Sequence, residues 1–161
     1  MQTVFIFSTN ANELKSFCKS AFGRHLCGKD EFFHYKTLDV HIASRALDIH
    51  SKKAIIIFLD VDESFKKMQV ENGAICIVES GNKNAMSLLA RNKCSAIVCG
   101  GPQDTISFSS IQNDSIVICQ QRCIHTIDGK KIEPCEYIFT PSEDMSIGTA
   151  LLVAALKTVI Q

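Results

Sequence analysis

Three acidic side chains crowd one point of the chain. Asp60, Asp62 and Glu63 follow directly on the apolar run Ala54-Ile55-Ile56-Ile57-Phe58-Leu59. A buried strand ending in this way puts them at the carboxyl edge of a sheet, where open α/β sheets bind ligands. A carboxylate there can hold Mg²⁺ or accept a phosphoryl group, so Asp60 and Asp62 are the candidate metal ligands. The simpler alternative is an acidic helix start. Asp62 and Glu63 then favour the dipole of a short helix that ends near Met68.

Polar turns follow other apolar runs. Residues 3–8 read as a first buried strand, and Ser8-Thr9-Asn10-Ala11-Asn12 leads from it into a helix. A helix that starts directly after a strand offers free N–H groups and a positive dipole end to an anion. Glu79-Ser80-Gly81-Asn82 and Gly100-Gly101-Pro102-Gln103-Asp104 stand at two further strand ends. Ser8, Thr9, Asn10, Asn12, Asn82 and Asp104 are the candidate cofactor-binding residues. Gly-Gly-Pro by itself says little, because any tight turn uses it.

Two Asp-x-His pairs, Asp39/His41 and Asp48/His50, suggest carboxylate–imidazole metal ligation. On a strand Asp39 and His41 share a face, whereas on a helix or turn Asp48 and His50 diverge. The simpler reading of both is polar side chains facing water. Ser107, Ser109 and Ser110 lie in no Gly-x-Ser-x-Gly elbow, and no histidine is spaced to serve them, which argues against a serine hydrolase.

The elements that must position these groups follow from periodicity. A helix carries Leu14, Phe17, Cys18, Ala21 and Phe22 on one face and stops at Gly23. Residues 24–35 read as a polar loop, 37–42 as a second strand and 44–50 as a short helical piece. Residues 54–59 form the clearest strand. Strands at 74–78 and 95–99 flank a helix over 82–91. Short alternating strands follow at 105–109 and 115–119, and Asp128-Gly129 marks a hairpin between 123–127 and 131–139. Ser142 is the expected cap of a last helix, with Glu143 and Asp144 in its first turn. Residues 145–160 are apolar nearly all round, as in a helix that is deeply buried or packed on another subunit.

Alternating strands and helices predict one α/β domain over residues 1–161. Its sheet is mostly parallel, flanked by helices, with an antiparallel extension toward the C-terminus. The 161 residues suffice for a real core, and 46% hydrophobic with 21% charged residues is an ordinary globular composition. A net charge of +0 removes the simplest case for nucleic acid or an anionic membrane. The apolar run 147–156 is too short to span a bilayer. There is no basic, signal-like N-terminus, and the eight cysteines form no CxxC pair. They read as reduced core residues of a cytoplasmic protein.

Residues 73–160 resemble the later half of the central, ATP-binding domain of the Mur ligases, the amide-forming ligases of peptidoglycan synthesis. The parallels are Ile75–Val78, Glu79–Asn82, Ala85–Arg91, Ala96–Gly100, Ile106–Phe139 and the Ala-rich segment Ala150–Leu156. The family's phosphate loop is a strand followed by Gly-Thr-Asn-Gly-Lys-Thr-Thr. This chain has Ser8-Thr9-Asn10-Ala11-Asn12-Glu13-Leu14, in which Thr9 and Asn10 match. The resemblance implies an ATP and Mg²⁺ site. The departures imply its decay: both glycines are gone, Asn12 replaces the lysine, and Glu13 would repel a triphosphate. The expectation is a non-catalytic or regulatory domain that works through a partner protein or as a homo-oligomer. One alternative is a small enzyme holding a nucleotide or phosphorylated ligand among Asp60, Asp62, Asn82 and Asp104. A further alternative is a receiver-like signalling domain with Asp60 as phosphate acceptor, although the acidic pair expected after the first strand reads Ser8-Thr9-Asn10.

Overall fold

Thr3 to Phe7 is a run of β-branched and aromatic residues, and it forms a strand at the centre of the sheet, β1 (Gln2–Phe7). The computed structural model describes residues 2–142 and 145–161. β1 lies between β3 (Leu38–Ala43) and β4 (Ala54–Phe58) and runs parallel to both. β5 (Ile75–Glu79), β6 (Ala96–Cys99) and β7 (Ile106–Gln112) continue the parallel set beyond β4. β2 (Glu31–Tyr35) closes one edge antiparallel to β3. β8 (Ser115–Gln120) and β11 (Cys135–Phe139) close the other, also antiparallel. The sheet order is β11-β8-β7-β6-β5-β4-β1-β3-β2. This is the expected α/β class, with its mostly parallel sheet and antiparallel extension.

Both faces of the central strands are apolar because helices cover both. Ile55 and Ile57 point to one side, where they meet α1 (Ala11–Phe22) and α3 (Ile147–Val159) in one core cluster. Ile56 and Phe58 point to the other, where they meet α2 (Lys83–Asn92) and the short 3-10 helix Glu63–Lys67. Each such fully buried side chain contributes roughly 1.5–3 kcal/mol. α3 is buried over nearly its whole length within the chain itself, beneath α1 and against β5, β6 and β7. Lys157, its exposed base, lies 5.4 Å from the Phe139 ring centroid.

Four expectations are corrected. Residues 44–50 form no helix. Ile49 instead makes a parallel bridge to Val70, with its N–H donated to the Gln69 carbonyl, and the Asp48 carboxylate accepts the Gln69 N–H. Backbone groups committed to that bridge cannot close a helical turn. The loop expected over 24–35 contains β2. Its buried Phe33 alternates with exposed Phe32 and His34, and the two-residue turn to β3 holds Lys36 at φ 53°. The long hairpin after Cys123 shrinks to β9 (Ile124–His125) and β10 (Lys131–Ile132), a separate two-stranded sheet. Pro134 has no N–H to continue that ladder, and the chain beyond it pairs with β8 instead. Finally, Ser146 rather than Ser142 caps α3. Glu143 and Asp144 lie outside the described residues.

Candidate functional site

β1, β4 and β5 end side by side, and the chain leaves them through polar turns. Between those turns and the start of α3 opens a cleft of about 680 Å³. Its lining includes Asn10, Asn82 and Ser146, which cap α1, α2 and α3. Three helix N-termini therefore meet at one cavity.

The turn from β1 to α1 is closed on itself. Ser8 is buried, and its hydroxyl accepts the Asn10 N–H at 3.1 Å. Thr9 donates both its N–H (2.7 Å) and its hydroxyl (2.9 Å) to the Asp60 carbonyl. The Asn10 side chain accepts the N–H groups of Asn12 (3.1 Å) and Glu13 (3.2 Å), and its carbonyl accepts that of Leu14. The N–H groups at 9, 10, 12, 13 and 14 thus all have partners inside the chain. A phosphate loop works by leaving such groups free to face the anion.

Glu13 crosses the cleft wall. One carboxylate oxygen accepts the Asp60 N–H at 2.8 Å and the other accepts the Thr149 hydroxyl at 3.3 Å. This single side chain ties α1 to the turn after β4 and to the first turn of α3. Burial raises its carboxyl above the ordinary value, and the nearby Asp60 and Glu79 charges push the same way, while the two hydrogen bonds oppose them. Glu79, at the end of β5, lies against the start of α3. A Cβ placed on Gly148 would come within 2.5 Å of its carboxylate, so the missing side chain leaves room for the carboxylate in this position. A carboxylate in that position suits the positive end of α3.

On the far side Asn82 does two jobs. Its oxygen accepts the Ala85 N–H at 3.2 Å and its amide donates to the Leu59 carbonyl. Asn84 donates to the Val61 carbonyl at 3.0 Å, so α2 is stitched to the turn after β4.

The cleft therefore gathers Asn10, Asn12, Asp60 and Asn82 from the candidates. Ser8 and Thr9 hold the turn through their hydrogen bonds and do not line the cleft. Asp62 is elsewhere: its carboxylate accepts the Ser64 N–H at 2.9 Å and the Ser64 hydroxyl at 2.5 Å, and these bonds hold its pKa below the ordinary value. It caps the 3-10 helix, as the acidic-start reading had it. Asp104 folds back within its own turn to accept the Gly101 N–H at 2.5 Å. Glu79, Asn84, Ser146 and Thr149 are cleft residues that did not stand out as candidates in the sequence. Glu79 alone carried a signal, as the first residue of the polar turn that follows a buried-type strand.

The Asp-x-His pairs do not converge. Asp39 pairs across strands with His34 Nδ1 at 2.6 Å, and His41 stacks on Phe5 at 5.1 Å. Among the described residues no three His, Cys, Asp or Glu side chains are grouped to hold a metal ion. All eight cysteines are free thiols, and burial pushes Cys18 up to about 12. Among the described residues no helix is long and apolar enough to cross a membrane. No family model, curated protein or solved structure matches the chain.

Proposed function

We propose that this chain is a binding module rather than a catalyst: an α/β domain on a Mur-ligase-like plan that has lost nucleotide chemistry and acts through what its cleft and sheet surface bind. The internal closure of the β1–α1 turn carries this reading. The N–H groups of Thr9, Asn10, Asn12, Glu13 and Leu14 already have acceptors, and Glu13 places a negative charge where a triphosphate would need a positive one. Mg-ATP would have to break several of these bonds and displace a carboxylate in order to enter.

Two further observations support a role in contacts. Val117 and Ile138 pair on the sheet face away from α3, and Ile138 is 72% exposed. Eight free thiols suit a reducing compartment such as the cytoplasm.

Thermal melting with Mg-ATP, Mg-ADP and Mg-GTP tests the proposal. A nucleotide that binds only the folded state at 100 times its dissociation constant stabilises by about 2.7 kcal/mol. We expect no shift and no nucleotide hydrolysis. A clear shift, or turnover of Mg-ATP, would overturn it.

A further inference from the structure

The nine-stranded sheet ends at β11, and among the described residues no strand or turn pairs with the outer edge of β11. A free edge presents a row of unpaired N–H and C=O groups, which makes it a template for one more strand. Proteins that keep such an edge single guard it with lysine, proline, a bulge or a covering segment. β11 carries neither lysine nor proline, and Glu136 is the only charge in Cys135-Glu136-Tyr137-Ile138-Phe139. Its ladder to β8 runs without a bulge over all five residues. Glu136 is itself engaged, accepting the Cys119 thiol at 3.0 Å. The other edge differs. Cys27 and Gly28 donate their N–H groups to the Glu31 carboxylate at 2.5 Å, and the Arg24 guanidinium lies 5.1 Å from the Phe33 ring centroid, so residues 24–28 lie against β2.

Side chains alternate along β11. Phe139 and Tyr137 face α3, where Phe139 is buried and the Tyr137 hydroxyl lies 3.4 Å from that of Thr158. Glu136 and Ile138 face the other way, and Ile138 stands 72% exposed opposite Val117. Antiparallel pairing with the same strand of another copy can be centred on Glu136, Tyr137 or Ile138, and the three registers bring different groups together. Centring on Glu136 sets like charges directly opposite, which is destabilising. Centring on Tyr137 sets each Glu136 against an Ile138. Centring on Ile138 sets that residue against its own copy and Tyr137 against Phe139 on both sides of the axis, with the two Glu136 side chains at opposite ends. Only this register matches apolar with apolar around its centre, and it adds an aromatic cross-strand pair on each side.

We infer that β11 pairs with β11 of a second copy of this chain, antiparallel about a two-fold axis at Ile138, so that two sheets join into one. The segment is self-complementary about that residue, as a two-fold interface requires. A net charge of +0 sets no long-range repulsion between copies. The pairing gives the sheet surface a partner and rests on reading this chain as a binding module.

The test is sedimentation equilibrium of the whole chain over a concentration series. We expect a reversible monomer–dimer equilibrium in the wild type. Ile138→Lys and Ile138→Glu alter an exposed side chain, and each should weaken association by about tenfold or more, because like charges then face each other across the axis. An equimolar mixture of the two variants should restore the dimer, because lysine then faces glutamate. That rescue is specific to a register in which residue 138 meets itself, and it also shows that both variants are folded. A wild type that stays monomeric at millimolar concentration overturns the inference and leaves the edge to a strand of a different chain. A dimer indifferent to both substitutions overturns it too, as does a mixture that stays monomeric. These outcomes are separate from the nucleotide melts: a monomer with silent melts removes only the self-pairing, whereas a nucleotide shift removes the binding-module reading itself.

Discussion

Glu13 holds a charge that the fold partly desolvates. Its carboxyl is raised above 4.5, so the folded chain binds that proton more tightly than the unfolded chain does. The stability it contributes is complete below the ordinary carboxyl value and is lost as pH climbs through the raised folded value. Glu13→Gln keeps an acceptor for the Asp60 N–H and removes the buried charge. We expect it to melt higher at pH 7, because the penalty of burying the charge is gone. The gain should vanish in acid. A lower melting point at pH 7 would show that the charge itself is needed. Gly148 is the second residue on which the cleft turns. Glycine in a helix costs about 1 kcal/mol relative to alanine. Gly148 lies in the first turn of α3, so Gly148→Ala should recover at most part of that, and less with Glu79 present than with Glu79→Ala, because the Glu79 carboxylate must swing aside for the new methyl. A double-mutant cycle in chemical denaturation measures the coupling, and a value near zero would contradict the packing described. The charge of Glu13 was legible in the sequence, but its partners were not. Asp60 is 47 residues away and Thr149 is 136 away, and no local pattern reports such a contact.

At the scale of elements, strands buried on both faces were readable because they are unbroken apolar runs. The periodic helices α1 and α2 were readable for the same kind of reason. β2 was hidden because its exposed positions include Phe32, which blurs the alternation. The start of α3 was misplaced because Ser142 and Ser146 are both plausible caps, and only Ser146 accepts the Thr149 N–H. Ser146→Ala should therefore destabilise by about 1 kcal/mol. Ser142→Ala should stay within about 0.5 kcal/mol. Equal losses in urea unfolding would place the cap elsewhere. Asn82→Ala removes both a cap and the bond to Leu59 and should cost about 1–3 kcal/mol. By contrast, Ile138→Lys on the exposed face of edge strand β11 should leave monomer stability within about 0.5 kcal/mol despite the loss of an apolar side chain.

At the scale of the molecule, the sheet order brings the ends of β1, β4 and β5 together and sets α3 across them, although α3 is the last element in the chain. The α/β class was legible from alternation alone. That convergence was not, because it depends on strand order and on the return of a helix from residue 147 to the edge where β1 ends. Asn82 and Asp104 looked equivalent in the sequence, each closing a turn after a strand. The fold places one in the cleft and turns the other into its own loop. The measurement that tests the central claim most directly is a residue-resolved NMR titration of the amide groups with Mg-ATP. The closed β1–α1 turn predicts that the amides of Thr9, Asn10, Asn12, Glu13 and Leu14 stay in place at every nucleotide concentration. Saturable displacement of those five amides would show that the turn opens to phosphate, and would contradict the account.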